Sequence, residues 1–214
     1  MFDPSKFTVH KAKPLPVMLL LDTSGSMSGE KIANLNKAVH TMIDTFAKLE
    51  GIETEILVSI ITFGPVNLYL PFTSASQIMW HDLDITGDTP IGEAIRKAKE
   101  MIEDKEIVPS RSYRPTVVLI SDGHPTDSWQ SQMNDFISNG RSAKCDRMAM
   151  AIGYDADEEM LSSFIKGTRN SLFRAENASN IQDFFKFVTM SVTNTVSKAG
   201  TPINATANFS DDDI

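Results

Sequence analysis

The residues best suited to chemistry lie in three short stretches: Asp22-Thr23-Ser24-Gly25-Ser26, Gly87-Asp88-Thr89-Pro90 and Ser121-Asp122-Gly123. What they offer is oxygen. Two carboxylates, Asp22 and Asp122, and three hydroxyls, Ser24, Ser26 and Thr89, make a donor set for a hard, octahedral dication such as Mg²⁺, with Mn²⁺ or Ca²⁺ as alternatives. No His or Cys belongs to the set, which disfavours zinc. Two carboxylates balance a dication, while neutral hydroxyls leave it electrophilic. Such a site keeps one coordination position for water or for a carboxylate from another molecule. Any one of these stretches, taken alone, reads as a helix cap or a turn; the three together favour the metal.

The elements around them must place these stretches at one edge. Residues 16–21 form an apolar run of buried-strand length, followed by a helix over 30–50 with Ile32, Leu35, Val39, Met42, Ile43, Phe46 and Leu49 at helical spacing. Strands over 54–63 and 67–72 are joined by so short a turn that they must be antiparallel, which puts the second at a sheet edge. A helix over 90–103, a strand over 114–121, a helix over 131–139, a strand over 146–152, a helix over 157–166, a short strand near 172–174 and a last helix from Ser179 complete the alternation. Strands alternating with amphipathic helices predict a doubly wound, mostly parallel α/β sheet with one antiparallel edge strand and helices on both faces. In such sheets ligands bind beyond the carboxyl ends of the strands, where all three stretches fall. The start of the helix at Pro90 adds positive dipole potential beside Thr89.

D-x-S-x-S, a distant Thr and a distant Asp, in that order, resemble the metal-ion-dependent adhesion site of von Willebrand factor A domains, with Asp22, Ser24, Ser26, Thr89 and Asp122 at the matching positions. The resemblance covers residues 15 to 197, leaving 1–14 as an N-terminal extension and 198–214 as an acidic tail expected to be disordered. It implies a doubly wound sheet with a metal at its upper edge and a protein partner whose Asp or Glu completes the coordination. It also implies that binding a carboxylate shifts the metal between two coordination states and moves the last helix. The longer motifs SDGHPTDSW and GDTPIGEAI look most like bacterial tellurite-resistance (TerY-like) members, which implies an intracellular stress-response setting. One departure is Asp88, where many members carry a second glycine.

The bulk properties narrow the alternatives. A formal net charge of −8 over 214 residues argues against binding a nucleic-acid backbone. No run is long enough to cross a bilayer, and nothing at the N-terminus resembles a signal peptide. A single cysteine, Cys145, fits a cytoplasmic location and allows no internal disulfide. The reading is therefore a non-enzymatic, metal-dependent interaction module, of open oligomeric state. The alternative is a Mg-dependent phosphohydrolase or phosphotransferase using Asp22. That chemistry needs a second aspartate two residues on, and Ser24 stands there. A nucleotide-binding loop is absent, since neither G-x-x-x-x-G-K-[ST] nor a G-x-G-x-x-G after a strand occurs. His124, Asp127 and the His81/Asp82/Asp84 group read as loop, turn or cap residues.

Overall fold

β1 (Lys13–Asp22) reads KPLPVMLLLD, and everything after Lys13 is buried. A strand with neighbours on both edges and helices on both faces has no solvent side, so its sequence is a continuous apolar run rather than an alternation. In the structure, a computed structural model that describes residues 12–51 and 54–199, β1 pairs in parallel with β2 (Thr54–Phe63) on one edge and with β4 (Thr116–Ser121) on the other. β3 (Asn67–Ser74) returns antiparallel against β2 with a bulged register. β5 (Asp146–Ile152) and β6 (Phe173–Ala175) extend the sheet in parallel beyond β4. The order β3-β2-β1-β4-β5-β6 is the mostly parallel sheet that the alternation predicts, with its one antiparallel strand at the edge.

Side chains of β1 alternate between two cores. Leu15, Val17, Leu19 and Leu21 pack with α1 (Glu30–Leu49) and α5 (Ala178–Ala199) on one face. Met18 and Leu20 pack on the other with α2 (Ile91–Glu103), α3 (Gln130–Ser138) and α4 (Glu158–Ile165). Each fully buried Leu, Ile, Val or Phe contributes about 1.5–3 kcal/mol relative to exposure, so this two-sided filling is the main source of stability. Met133, Met148 and Met150 all lie in these cores. Phe184 and Phe185 are buried on α5, while Phe187 is 46% exposed on its outer side.

Three local details differ from the sequence pattern. Leu49 ends the apolar stripe of α1 but is exposed, whereas Asn36 is buried. The Asn36 amide exchanges two hydrogen bonds with the Leu83 backbone, at 3.2 and 2.9 Å, which removes the cost of burying it. The last helix begins at Ala178: the Asn177 side chain accepts from the Asn180 N–H (3.1 Å), and the Asn180 side chain accepts from the Glu176 N–H (3.2 Å), so the cap falls two residues before Ser179. β1 reaches back to Lys13 and forward to Asp22, past the ends of its apolar run. Residues 1–11 of the expected extension, and 200–214 of the expected acidic tail, lie outside the described residues. Among the described residues no helix is long and apolar enough to cross a membrane.

Candidate metal site

β1 and β4 are adjacent and in register, with Leu21 opposite Ile120, so the residues that follow, Asp22 and Ser121, leave the sheet side by side. This is the switch point between the two halves of a doubly wound sheet. The Asp22 side chain is fully buried and both its oxygens are engaged. Oδ1 accepts from the Ser24 N–H at 2.9 Å, closing a tight turn, and Oδ2 accepts from the Ser121 hydroxyl at 2.6 Å. The chain then makes a 3-10 turn over Gly25–Met27, anchored by buried Met27. Gly29, at φ 75°, leads it into α1.

Asp122 follows Ser121 and is 1% exposed. Its Oδ1 accepts from the Ser26 hydroxyl at 2.7 Å, and the Ser24 and Ser26 hydroxyls lie 3.0 Å apart. Thr89 arrives on the loop before α2. That loop is drawn in by the Thr86 N–H, which donates to the Thr23 carbonyl at 2.7 Å, and by the Gly25 N–H, which donates to the Gly87 carbonyl at 3.3 Å. Two glycines permit the approach. A Cβ on Gly87 (φ 56°) would lie 2.0 Å from the Gly64 carbonyl oxygen, and one on Gly64 would lie 2.2 Å from that of Thr86. The backbone of Thr89 is clamped by Thr126, whose hydroxyl accepts its N–H at 3.1 Å and whose N–H donates to its carbonyl at 3.0 Å. An added Cβ on Gly123 would be 3.7 Å from Ser26 Oγ and 4.0 Å from Thr89 Oγ1, so both hydroxyls flank this glycine.

All five side chains named from the sequence are thus gathered at one edge. Ser24, Ser26 and Asp122 are linked directly, Asp22 is tied to the backbone of Ser24, and Thr89 stands beside Gly123. Asp88 next to Thr89 is exposed and makes no hydrogen bond or ion pair among the described residues. Asp127 accepts from the N–H groups of Gly92 (3.0 Å) and Glu93 (2.9 Å), capping α2 from a distant loop. His124 is exposed beside Asp157, and the Trp80 indole donates to Asp82 in the exposed loop that also holds His81 and Asp84. Cys145 is buried, and burial pushes its thiol up to about 12, so it carries no thiolate chemistry.

Sequence reasoning missed Lys31. Its ammonium, on the first turn of α1, donates to Asp122 Oδ2 at 2.5 Å. A lysine in the first turn opposes the helix dipole, and that mismatch is the sequence signal for a nearby anion. Burial raises the Asp22 carboxyl above its usual range; the hydrogen bonds from Ser121 and Ser24 oppose this, and the Asp122 charge adds to it. Two buried carboxylates with one ammonium, on Asp122, remain short of positive charge, and the side-chain oxygens around them are hydroxyls. That set fits a hard dication. Among the described residues no three His, Cys, Asp or Glu side chains cluster as metal ligands, so the hydroxyls are indispensable to any such site. Asp22 is a poor nucleophile here, because it is buried and both its oxygens already accept hydrogen bonds.

A family model described as the von Willebrand factor type A domain matches residues 17–187. The mouse inter alpha-trypsin inhibitor heavy chain 4 is 26% identical over 186 residues, covering 79% of this chain and 19% of that protein. Among solved structures, the pilus adhesin SpaC from Lactobacillus rhamnosus GG, in an open conformation, superposes with a TM-score of 0.70 at 12% identity, covering 86% of this chain and 30% of its own. Proximal thread matrix protein 1 from the mussel byssus, with a zinc-occupied MIDAS motif, superposes at 0.60 with 14% identity, covering 83% and 48%. The chain spans less than half the length of each of these proteins.

Proposed function

Because the chain belongs to the von Willebrand factor type A domain family, we propose that it is a non-enzymatic interaction module in which Asp22, Ser24, Ser26, Thr89 and Asp122 hold a divalent cation, Mg²⁺ by preference. When bound, the cation supplies a Lewis-acidic position that a partner's Asp or Glu carboxylate completes. Ser24, Ser26 and Thr89 offer neutral oxygens, and Asp22 and Asp122 contribute charge largely through hydrogen bonds. The observation that carries this reading is the juxtaposition of two buried carboxylates at the ends of adjacent strands with three hydroxyls from two loops. The mussel relative's zinc-occupied MIDAS motif supports the same kind of site here. Small hydroxyl donors lean towards Mg²⁺ over Ca²⁺.

The setting we propose is a cytoplasmic, tellurium-resistance-like stress response. It is supported by the motifs SDGHPTDSW and GDTPIGEAI and by the single, buried cysteine. The test of the site is calorimetric titration with Mg²⁺ and Mn²⁺, followed by titration of the loaded protein with a glutamate-containing peptide. Binding of metal lost in Thr89→Ala and Ser26→Ala, with an unchanged circular dichroism spectrum, is the expected result. Metal affinity equal to wild type in both variants would overturn the assignment.

A further inference from the structure

The end of the sheet opposite the metal site carries a polar cleft of about 870 Å³. It lies between the starts of β4 and β5, the 167–170 loop and the C-terminal half of α5. Its charged lining is Arg114, Lys144, Arg147 and Arg169 against a single carboxylate, Asp146. Asp146 Oδ1 already accepts from the Asn170 amide at 3.0 Å. Among the described residues none of the four cations forms an ion pair, although the chain as a whole is acidic. Elsewhere Arg96 pairs with Glu93 and Glu100 and Arg174 with Glu158, while Arg141, like Arg147, is held by carbonyls, those of Ile102 and Val108. Arg147 is 3% exposed and is held by carbonyls alone. Nε donates to Phe164 (2.8 Å), Nη1 to Ala143 (3.1 Å) and Nη2 to Lys166 (2.8 Å). A guanidinium has five N–H groups, so two remain, and among the described residues its charge forms no ion pair.

We propose that this cleft binds the phosphoryl group of a phosphorylated peptide segment on a protein partner. Guanidinium forks match the oxygens of phosphate bidentately, and four cations against one carboxylate suit a near-dianion better than a single carboxylate. Ser191 adds a hydroxyl at the rim, whereas the Thr168 hydroxyl already donates to the Ile165 carbonyl at 2.8 Å. No aromatic ring lines the cleft, so a nucleotide or single strand would find no surface on which to stack its bases. Its few apolar groups, such as Ala143 and Cys145, give a lipid no anchor. This inference is independent of the metal site, which lies at the other end of the strands.

The test uses the full chain and a short peptide with a central phosphoserine, with the same peptide unphosphorylated or carrying Glu, inorganic phosphate, and oligo-dT as further arms. Fluorescence anisotropy gives affinities, and amide chemical shifts locate the site. Arg114 and Arg169 are exposed, so Arg114→Gln and Arg169→Gln together leave the core intact. The expected result is binding of the phosphopeptide at least tenfold tighter than of the other two peptides. Inorganic phosphate should compete with it and shift the amides of Arg114, Thr116, 143–147 and 167–170. Affinity should fall tenfold or more in the double variant and stay unchanged in EDTA. Phosphorylated and unphosphorylated peptides binding alike, a double variant that binds as wild type does, or oligo-dT binding in preference would each overturn the proposal. Loss of phosphopeptide binding in EDTA would do so too, by moving the anion to the metal site.

Discussion

The two ends of the strands bury charge of opposite sign. At the carboxyl ends, Asp22 and Asp122 are buried and one ammonium, that of Lys31, meets Asp122. At the amino ends, Arg147 sits beneath Arg114, Lys144 and Arg169 with one carboxylate nearby. The supports differ as well. The acidic end is assembled from loops that approach one another closely at Gly64 and Gly87, and its carboxylates are held by N–H and O–H donors. At the basic end the guanidinium itself does the holding, by taking carbonyls from the end of α4 and from the turn before β5. A buried carboxylate can be satisfied by backbone donors and still accept a cation, because it has lone pairs to spare. A buried guanidinium is tied to what it caps. The acidic end is thus a site that can be altered with the fold intact, whereas Arg147 is part of the fold and its exposed neighbours are the adjustable part.

The sharpest way to break this contrast is at Arg147. Arg147→Met should cost about 3 kcal/mol, because one buried and two partly buried carbonyls lose their donor at once. Chemical denaturation reads this, and a loss below about 1 kcal/mol would mean that water replaces the guanidinium and the cap is dispensable. At the acidic end, Asp122→Ala should lower Mn²⁺ affinity roughly a hundredfold by calorimetry while leaving the unfolding midpoint close to wild type. Unfolding of this variant without metal would erase the distinction between the ends.

Lys31→Met sharpens the comparison from the other direction. The ammonium competes for Asp122, so its removal should tighten metal binding, roughly tenfold at the attenuated interaction of two partly solvated charges. Weaker binding would show instead that Lys31 positions Asp122 for the metal.

The smallest effect concerns Glu103, near the basic end. Burial pushes its carboxyl up, but the backbone N–H donors of Ser142 and Arg141 outweigh this and hold it below the usual range. A depressed carboxylate contributes stability above its unfolded pKa and loses it as pH falls through the folded one. Glu103→Gln should therefore destabilise by about 1 kcal/mol at neutral pH, and the gap should close in acid. A gap that persists at low pH would assign the effect to packing rather than to the charge.

Much of this molecule could be read along the chain. The continuous apolar run of β1 announced a strand covered on both faces, and the short link between β2 and β3 required an antiparallel edge. Helical spacing placed Leu35, Val39 and Phe46 in the core. Asp22, Ser24, Ser26, Thr89 and Asp122 could be named because their residue types and order are themselves the signal. What remained hidden has no period and no fixed spacing. The Lys31–Asp122 pair joins the first turn of one helix to a loop 91 residues later. Asp127 could be read as a cap, but not as the cap of a helix that begins far before it in the chain, and Arg147 closes off the helix that follows its own strand. The basic cleft exists because four elements end at the same place. Local sequence determined the elements and their chemistry, through periodicity and turn propensity. Which charges met, and which were left without partners, was decided only when the sheet order brought their carriers together, since electrostatic pairing depends on distance in space and not on position in the chain.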